Sequence, residues 1–399
     1  MSGNGGRTRR ELLADAAKGA AAASLAGLAG CFPSVGGRWP SNSCSASDAD
    51  VTGDAGSFPV VTPAVVDVLR ADSVGVSGGK FVTHPDVVAT MVDAGLTALA
   101  RQAVMFNSGV SAPDGDGGAD DSGESDGGVD NPWSVLLPNY SGQRIGLKVN
   151  CLNPFVPTSP AIVRAIIASL RDKLGVDPHK IVVWDRFDSE LTAAGKYSDD
   201  DLAGASLFGT LTAPIPKGGT EDMVTPPGRG YGNTACEAPP GDDGSLPRLS
   251  RILTDPTLTE LTINCPVFKT HAAVSSITGA LKNIYGMIDN PGQYHKSVNT
   301  AIPKLYALPA IRKSISLTIV DALIAVINGE TDRAANASPG RILLAQDPVA
   351  LDSYALDLMN QLRASDRGKM GPVDSTKTVW LANAEIAGLG TRNYKLIQV

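Results

Sequence analysis

Apolar and polar residues alternate along this chain in two rhythms, and together they predict strands exchanging with helices. The clearest stretch opens at Arg144. Over 144–150, Ile145, Leu147 and Val149 fall on one face and Gly146, Lys148 and Asn150 on the other, a period of two that reads as a strand. Ser159 and Pro160 then supply an N-cap and a first helical residue, a helix over 161–174 stops at Gly175, and 180–185 is a second apolar strand. Strand, helix and strand in that order predict a right-handed crossover between parallel strands. Upstream, 58–101 predicts a strand or short helix and then a helix. That helix starts at His84-Pro85-Asp86, its stripe formed by Val87, Val88, Met91, Val92, Leu96 and Leu99. Downstream, further strands are predicted at 260–268, 315–320 and 341–345, and helices at 277–288, 348–362 and 377–387. The alternation implies an α/β fold: a largely parallel sheet with helices on both faces, Rossmann-like β-α-β units and long irregular insertions. The insertions are an acidic, Gly-rich segment at 111–131 and a Gly, Pro and Asp-rich excursion at 198–250. No internal repeat is evident.

The first thirty residues follow another plan. Arg7, Arg9 and Arg10 precede a weakly apolar Ala, Leu and Gly run over 16–30, and Thr8-Arg9-Arg10-Glu11-Leu12-Leu13 resembles the twin-arginine export consensus. The run is too short and too rich in Ala and Gly to span a bilayer, and it ends in Leu28-Ala29-Gly30-Cys31, which resembles a lipobox. Residues 1–30 are therefore expected to be a cleaved signal, Cys31 the lipidated first residue, 31–57 a flexible tether, and 58–399 a single α/β domain. Its expected partners are the twin-arginine translocase, the lipoprotein-processing machinery and a membrane, on the periplasmic or cell-surface side.

Hydrophobic residues make up 43% of the chain and charged residues 19%, which argues for a real core. The formal charge of −7 is local: seven acidic residues and no basic ones lie between Asp114 and Asp130, so the remainder is balanced and offers no field for nucleic acid. The Asp-Gly run there lacks the ligand spacing of an EF-hand. Cys44, Cys151, Cys236 and Cys265 include no Cys-x-x-Cys pair, which counts against a ferredoxin-type cluster or structural zinc. A bridge between Cys151 and Cys265 is conceivable; inert buried thiols fit better.

Ligands of open α/β sheets bind beyond the carboxyl ends of the strands. The predicted ends here carry Lys148 and Asn150, Asp185 and Arg186, Lys269 and His271, then Asp321 and Asp347. Asp347, before Pro348, is also an ordinary N-cap. Lys148 in mid-strand is costly unless it faces a polar cleft or an anion, or snorkels past an edge strand. Ser275 to Gly279 at the start of the predicted helix would present backbone N–H groups to an anion, with Lys269 and Lys282 as point charges and Tyr285 three residues on from Lys282. His271 and His295 suit acid–base work or, with a carboxylate, a metal, although their spacing is not diagnostic. No Walker loop or Gly-x-Ser-x-Gly elbow occurs, and Gly228-Arg229-Gly230-Tyr231-Gly232 does not follow a strand.

Lys148-Val149-Asn150, Val183-Trp184-Asp185-Arg186, Pro266-Val267-Phe268-Lys269-Thr270-His271, Gly279-Ala280-Leu281-Lys282-Asn283 and Asp347-Pro348-Val349-Ala350-Leu351-Asp352 together resemble the core motifs of the DUF362 family, over roughly 144–362. That family has no generally established reaction. Some relatives carry ferredoxin-like domains whose cysteines this chain lacks. The resemblance implies that Lys148, Asp185, Lys269, His271, Lys282, Asn283, Asp321, Asp347 and Asp352 are the positions to test.

Two readings follow. In the first, an enzyme binds a small anionic metabolite through Lys148, Lys269 and Lys282, with Asn150, Arg186, Asn283 and His295 beside them; His271 is the acid or base, oriented by Asp185 or Asp321. In the second, the same cleft of a non-catalytic lipoprotein holds a ligand or a metal centre. The sequence specifies no cofactor.

Overall fold

The computed structural model describes residues 62–107, 129–235, 238–366 and 371–399. The signal, Cys31, the tether, Cys44, Cys236 and residues 111–128 of the acidic insert lie outside these residues.

Strand β1 (Ala64–Leu69) is followed by a small hairpin of β2 (Val74–Ser77) and β3 (Lys80–Thr83), then by helix α1 (Pro85–Asn107). The next unit is β4 (Ile145–Lys148), α2 (Pro160–Leu174) and β5 (Ile181–Phe187), with β4 and β5 parallel. Its boundaries follow local chemistry. The Ser159 side chain accepts the Ala161 N–H, Pro160 occupies the first turn, and Gly175 closes the helix at φ 71°.

Beyond β5 come β6 (Ser206–Leu211) and a separate hairpin of β7 (Tyr231–Thr234) and β8 (Arg248–Ser250). Strands β9 (Leu261–Asn264), β10 (Val267–His271) and β11 (Ser276–Thr278) lead into helix α3 (Val298–Tyr306) and the long β12 (Ile315–Val326). The chain ends with β13 (Arg341–Ala345), α4 (Pro348–Ser365), α5 (Val379–Ile386) and β14 (Lys395–Gln398).

The main sheet runs β14-β1-β13-β12-β9-β4-β5-β6, with β10 beside β12 and β11 beside β10. It is largely parallel and flanked by helices. The apolar faces of α1 and α2 pack with Ile145, Leu147, Val183 and Ile319 on one side. Residues of α3, α4 and α5 pack with Trp184, Phe268, Val320 and Leu343 on the other.

Several expectations need correction. The run 260–268 is two strands, because Pro266 has no N–H for the ladder and the chain breaks there. The excursion 198–250 contains β6, which joins the sheet edge against β5. The fourth strand continues past Val320 to Val326, so Asp321 lies inside it rather than at its end. Strand β13 is antiparallel to β12, which puts Asp347 at the opposite edge from the other strand ends.

The predicted helix 277–288 is a strand, a turn and a 3₁₀ segment, Lys282–Met287. Ile277, Leu281, Ile284 and Ile288 are buried as their spacing suggests, but on different elements. Residues 276–278 pair with β10 after Ser276 at φ 62°, which takes them out of any helix, and the Ala280 and Leu281 N–H groups donate to the Asp352 carboxylate at 2.7 and 2.9 Å. Gly279 must pass close by: a Cβ there would lie 2.0 Å from Asp352 Oδ1.

Candidate functional site

Strand β5 lies to one side of β4 and β9 to the other, so chain connections diverge at the carboxyl ends of β4 and β9. Such a divergence opens a crevice. A cavity of about 290 Å³ occupies it, the size of a small metabolite.

Lys148 stands behind this cavity on the central strand β4 and is fully buried, which excludes the edge-strand alternative. Its ammonium donates to Asp185 Oδ1 and to the Val149 carbonyl, both at 2.7 Å, and lies 5.5 Å from the Trp184 ring centre. Asp185 Oδ2 accepts the Cys151 N–H at 2.7 Å. Both Asp185 oxygens are thus engaged, and the Lys148 ammonium has two acceptors. The pair is charge-neutral as a unit, and it fixes the end of β4 to the end of β5. Gly286 closes over it, since a Cβ there would sit 2.5 Å from Lys148 Nζ.

In front of that pair lies a relay of amides. Lys269 Nζ donates to Asn150 Oδ1 at 3.0 Å, Asn150 Nδ2 to Asn283 Oδ1 at 3.1 Å, and Asn283 Nδ2 to Asn264 Oδ1 at 2.7 Å. Burial, opposed by the Asp185 charge, pulls the Lys269 ammonium down to about 8. Lys282 is only 6% exposed and lies 3.8 Å above the centre of the Tyr285 ring. Among the described residues its ammonium has no hydrogen-bond or ion-pair partner. Burial, then repulsion from Lys269, lowers it to about 7. Arg186, stacked on Phe187 at 4.7 Å, adds a third cation to the wall.

His271 and His295 meet edge to face with ring centres 5.6 Å apart, and His295 stacks on Tyr285 at 5.9 Å. Burial, followed by the Lys282 charge, drops His271 to about 3, and the same two causes lower His295. His271 Nδ1 is buried without a hydrogen-bond partner, so neither Asp185 nor Asp321 orients it. Among the described residues no group of three or more His, Cys, Asp or Glu side chains is placed to hold a metal.

Glu190 is the residue that sequence reasoning missed. It follows β5 in the short helical turn Asp188–Glu190, a stretch in which the sequence singled out no residue, and it lines the cavity. Burial, reinforced by the Asp185 charge and opposed by Arg186, lifts its carboxyl to about 7.

Nine of the sequence-derived positions converge here. Asn150, Asp185, Arg186, Lys269, His271, Lys282, Asn283 and His295 line the cavity, with Lys148 behind. Three carboxylates do not line it. Asp321 accepts the Ser159 and Leu323 N–H groups at 2.7 and 3.0 Å; burial raises its carboxyl to about 6. Asp347 caps α4 through Val349 and Ala350 and also accepts the Thr391 N–H. Asp352, raised by burial to about 7, holds the 279–281 turn from beneath. All three are ties between backbone segments. Cys151 and Cys265 are free, buried thiols, and burial drives both upward in pKa.

The model of the domain of unknown function DUF362 matches residues 145–357, more than half the chain. The chain belongs to the DUF362 family. In this DUF362 protein the matched span contains every residue that lines the cavity. β1, α5 and β14 fall outside it. No curated protein matches the chain.

Proposed function

We propose that this DUF362 protein is an exported, lipid-anchored enzyme that binds a small carboxylate or phosphate metabolite between β4, β5 and β10. The observation that carries the reading is the meeting of Lys269, Lys282 and Arg186 in one secluded cavity, with the neighbouring Asp185 already neutralised by Lys148. Fixed cations in a water-poor site bind an anion far more strongly than the same charges on an open surface.

An enzyme fits better than a passive carrier. Burial lifts the Glu190 carboxyl to about 7, and a carboxyl of that kind in a cationic cavity is not needed to hold an anion but suits proton transfer. Glu190 takes over the acid–base role first given to His271, whose imidazole stays neutral and offers the ligand a hydrogen bond. The metal-centre reading lacks a clustered ligand set among the described residues. Export by the twin-arginine translocase, lipid attachment at Cys31 and display on the outer side of a membrane complete the proposal, resting on Arg9-Arg10 and Leu28-Ala29-Gly30-Cys31.

The test screens the full chain against inorganic phosphate and small carboxylates by thermal shift and calorimetry. At least one anion should bind the parent and fail to bind the Lys269→Ala variant. Equal binding by both proteins, or no binding by the parent, removes the proposal. Loss of the membrane-bound form in Cys31→Ala tests the anchor.

A further inference from the structure

We infer that Lys282 is a nucleophile that condenses with the carbonyl carbon of a small oxo acid to form an imine. The inference rests on the anion-binding reading above and narrows the ligand to one that carries a carbonyl beside its acid group.

Three buried lysines surround this site, and two are accounted for by partners. Lys148 donates to Asp185, and Lys269 donates to Asn150. Lys282 has neither an acceptor nor a counter-ion among the described residues, although it is 94% buried and lines the cavity. A buried ammonium without an acceptor is expensive, so the site suits the neutral amine. A neutral amine has a lone pair and attacks carbonyl carbon. Its position is restrained as well. The Tyr285 ring covers one side at 3.8 Å, and Asp352 holds the 279–281 turn that leads into the 3₁₀ segment carrying both residues. His271 and His295 are the titratable groups beside the amine, both lowered by its charge, and Lys269 is the cation that acts on it. Lys269 and Arg186 line the same cavity and offer charge for the carboxylate. Burial and the Lys269 charge, which bring Lys282 to about 7, agree with this geometry.

The step is balanced without an outside oxidant or reductant. The Lys282 nitrogen bonds to the carbonyl carbon as the C=O π pair moves onto oxygen, which takes a proton from solvent. The hydroxyl of the resulting carbinolamine takes a second proton and leaves as water, and the two protons lost by nitrogen return to solvent. The products are one imine and one water.

The experiment treats the full chain with pyruvate or glyoxylate and sodium cyanoborohydride, which reduces an imine to a stable amine, and maps adducts by peptide mass spectrometry. At pH 7.5, an amine titrating near 7 is mostly neutral whereas one at 10.5 is about a thousandth neutral, so Lys282 should label roughly a hundredfold or more faster than surface lysines. One adduct on Lys282, absent in Lys282→Met and slowed in Lys269→Ala, supports the inference. Anion binding with no adduct, or with labels scattered over surface lysines, overturns the imine and leaves the anion reading intact. Failure of both binding and labelling overturns both.

Discussion

Replacing Lys282 with Met should stabilise the folded protein while removing its ligand. The side chains are similar in length, so no cavity opens, and the thioether keeps contact with the Tyr285 ring. The magnitude follows from the fall of the ammonium from its ordinary 10.5 to about 7. At about 1.4 kcal/mol per tenfold change in acidity, that fall sets an upper limit of roughly 4–5 kcal/mol. The aromatic face returns about 0.5–2 kcal/mol, leaving a net cost of about 2–4 kcal/mol in the parent at neutral pH. Roughly 310 described residues imply an unfolding entropy of about 0.65 kcal/mol/K, so the variant should melt about 3–6 °C higher at pH 7. The sign of the pH dependence is fixed. Between about 7 and 10.5 the unfolded chain binds a proton at Lys282 that the folded chain does not, so the parent gains stability as pH rises and the advantage of Lys282→Met shrinks. Parallel melts at pH 7 and 9.5 measure both effects. A variant that melts lower than the parent, by an amount independent of pH, would refute the argument that this lysine is held against its own solvation.

Lys148, buried but paired, should respond in the opposite direction. Lys148→Met strands the Asp185 carboxylate and should cost about 3–5 kcal/mol in denaturant titration, with partial recovery in Lys148→Met/Asp185→Asn; a single variant within 1 kcal/mol of the parent speaks against the pair as a tie. Asp352→Ala leaves the Ala280 and Leu281 N–H groups without their acceptor, and at about 1–3 kcal/mol each should lower stability by about 2–6 kcal/mol and weaken anion binding together. Gly286→Ala pushes a methyl group to within 2.5 Å of Lys148 Nζ and should cost about 1–3 kcal/mol, read as a lower melting temperature. Binding of a monocarboxylate at pH 8 should take up protons, because the anion raises both depressed lysines; calorimetry in buffers of different ionisation enthalpy reads the uptake, and affinity should fall above pH 8 as Lys269 discharges.

Local signals identified the β4-α2-β5 unit almost residue for residue, because Ser159, Pro160 and Gly175 act through nearest neighbours alone. The same holds for Asp347 before Pro348. The cationic cluster was visible for a related reason: a lysine in mid-strand and polar residues after strands are anomalies in a buried sheet. What escaped notice depended on partners distant in sequence. The spacing of Ile277, Leu281, Ile284 and Ile288 resembles a helix, but 276–278 pair with β10, and Asp352, which holds the turn after them, lies about seventy residues on. Asp321 resembled a strand end because an acidic residue commonly marks one. Inside β12 it is held instead by the Ser159 N–H, 162 positions away. Glu190 was invisible because nothing in its neighbourhood signals that the polar turn folds inward.

The direction of β1 has a consequence for access. It is antiparallel to β13, which is antiparallel to β12, so β1 points the same way as β4 and β5. Chain arriving from before Thr62 therefore joins the sheet at the amino-terminal rim, four strand spacings or roughly 19 Å sideways from β4. The described chain thus enters the sheet on the rim opposite the mouth of the cavity, so a flexible leash attached there has no need to cross that mouth.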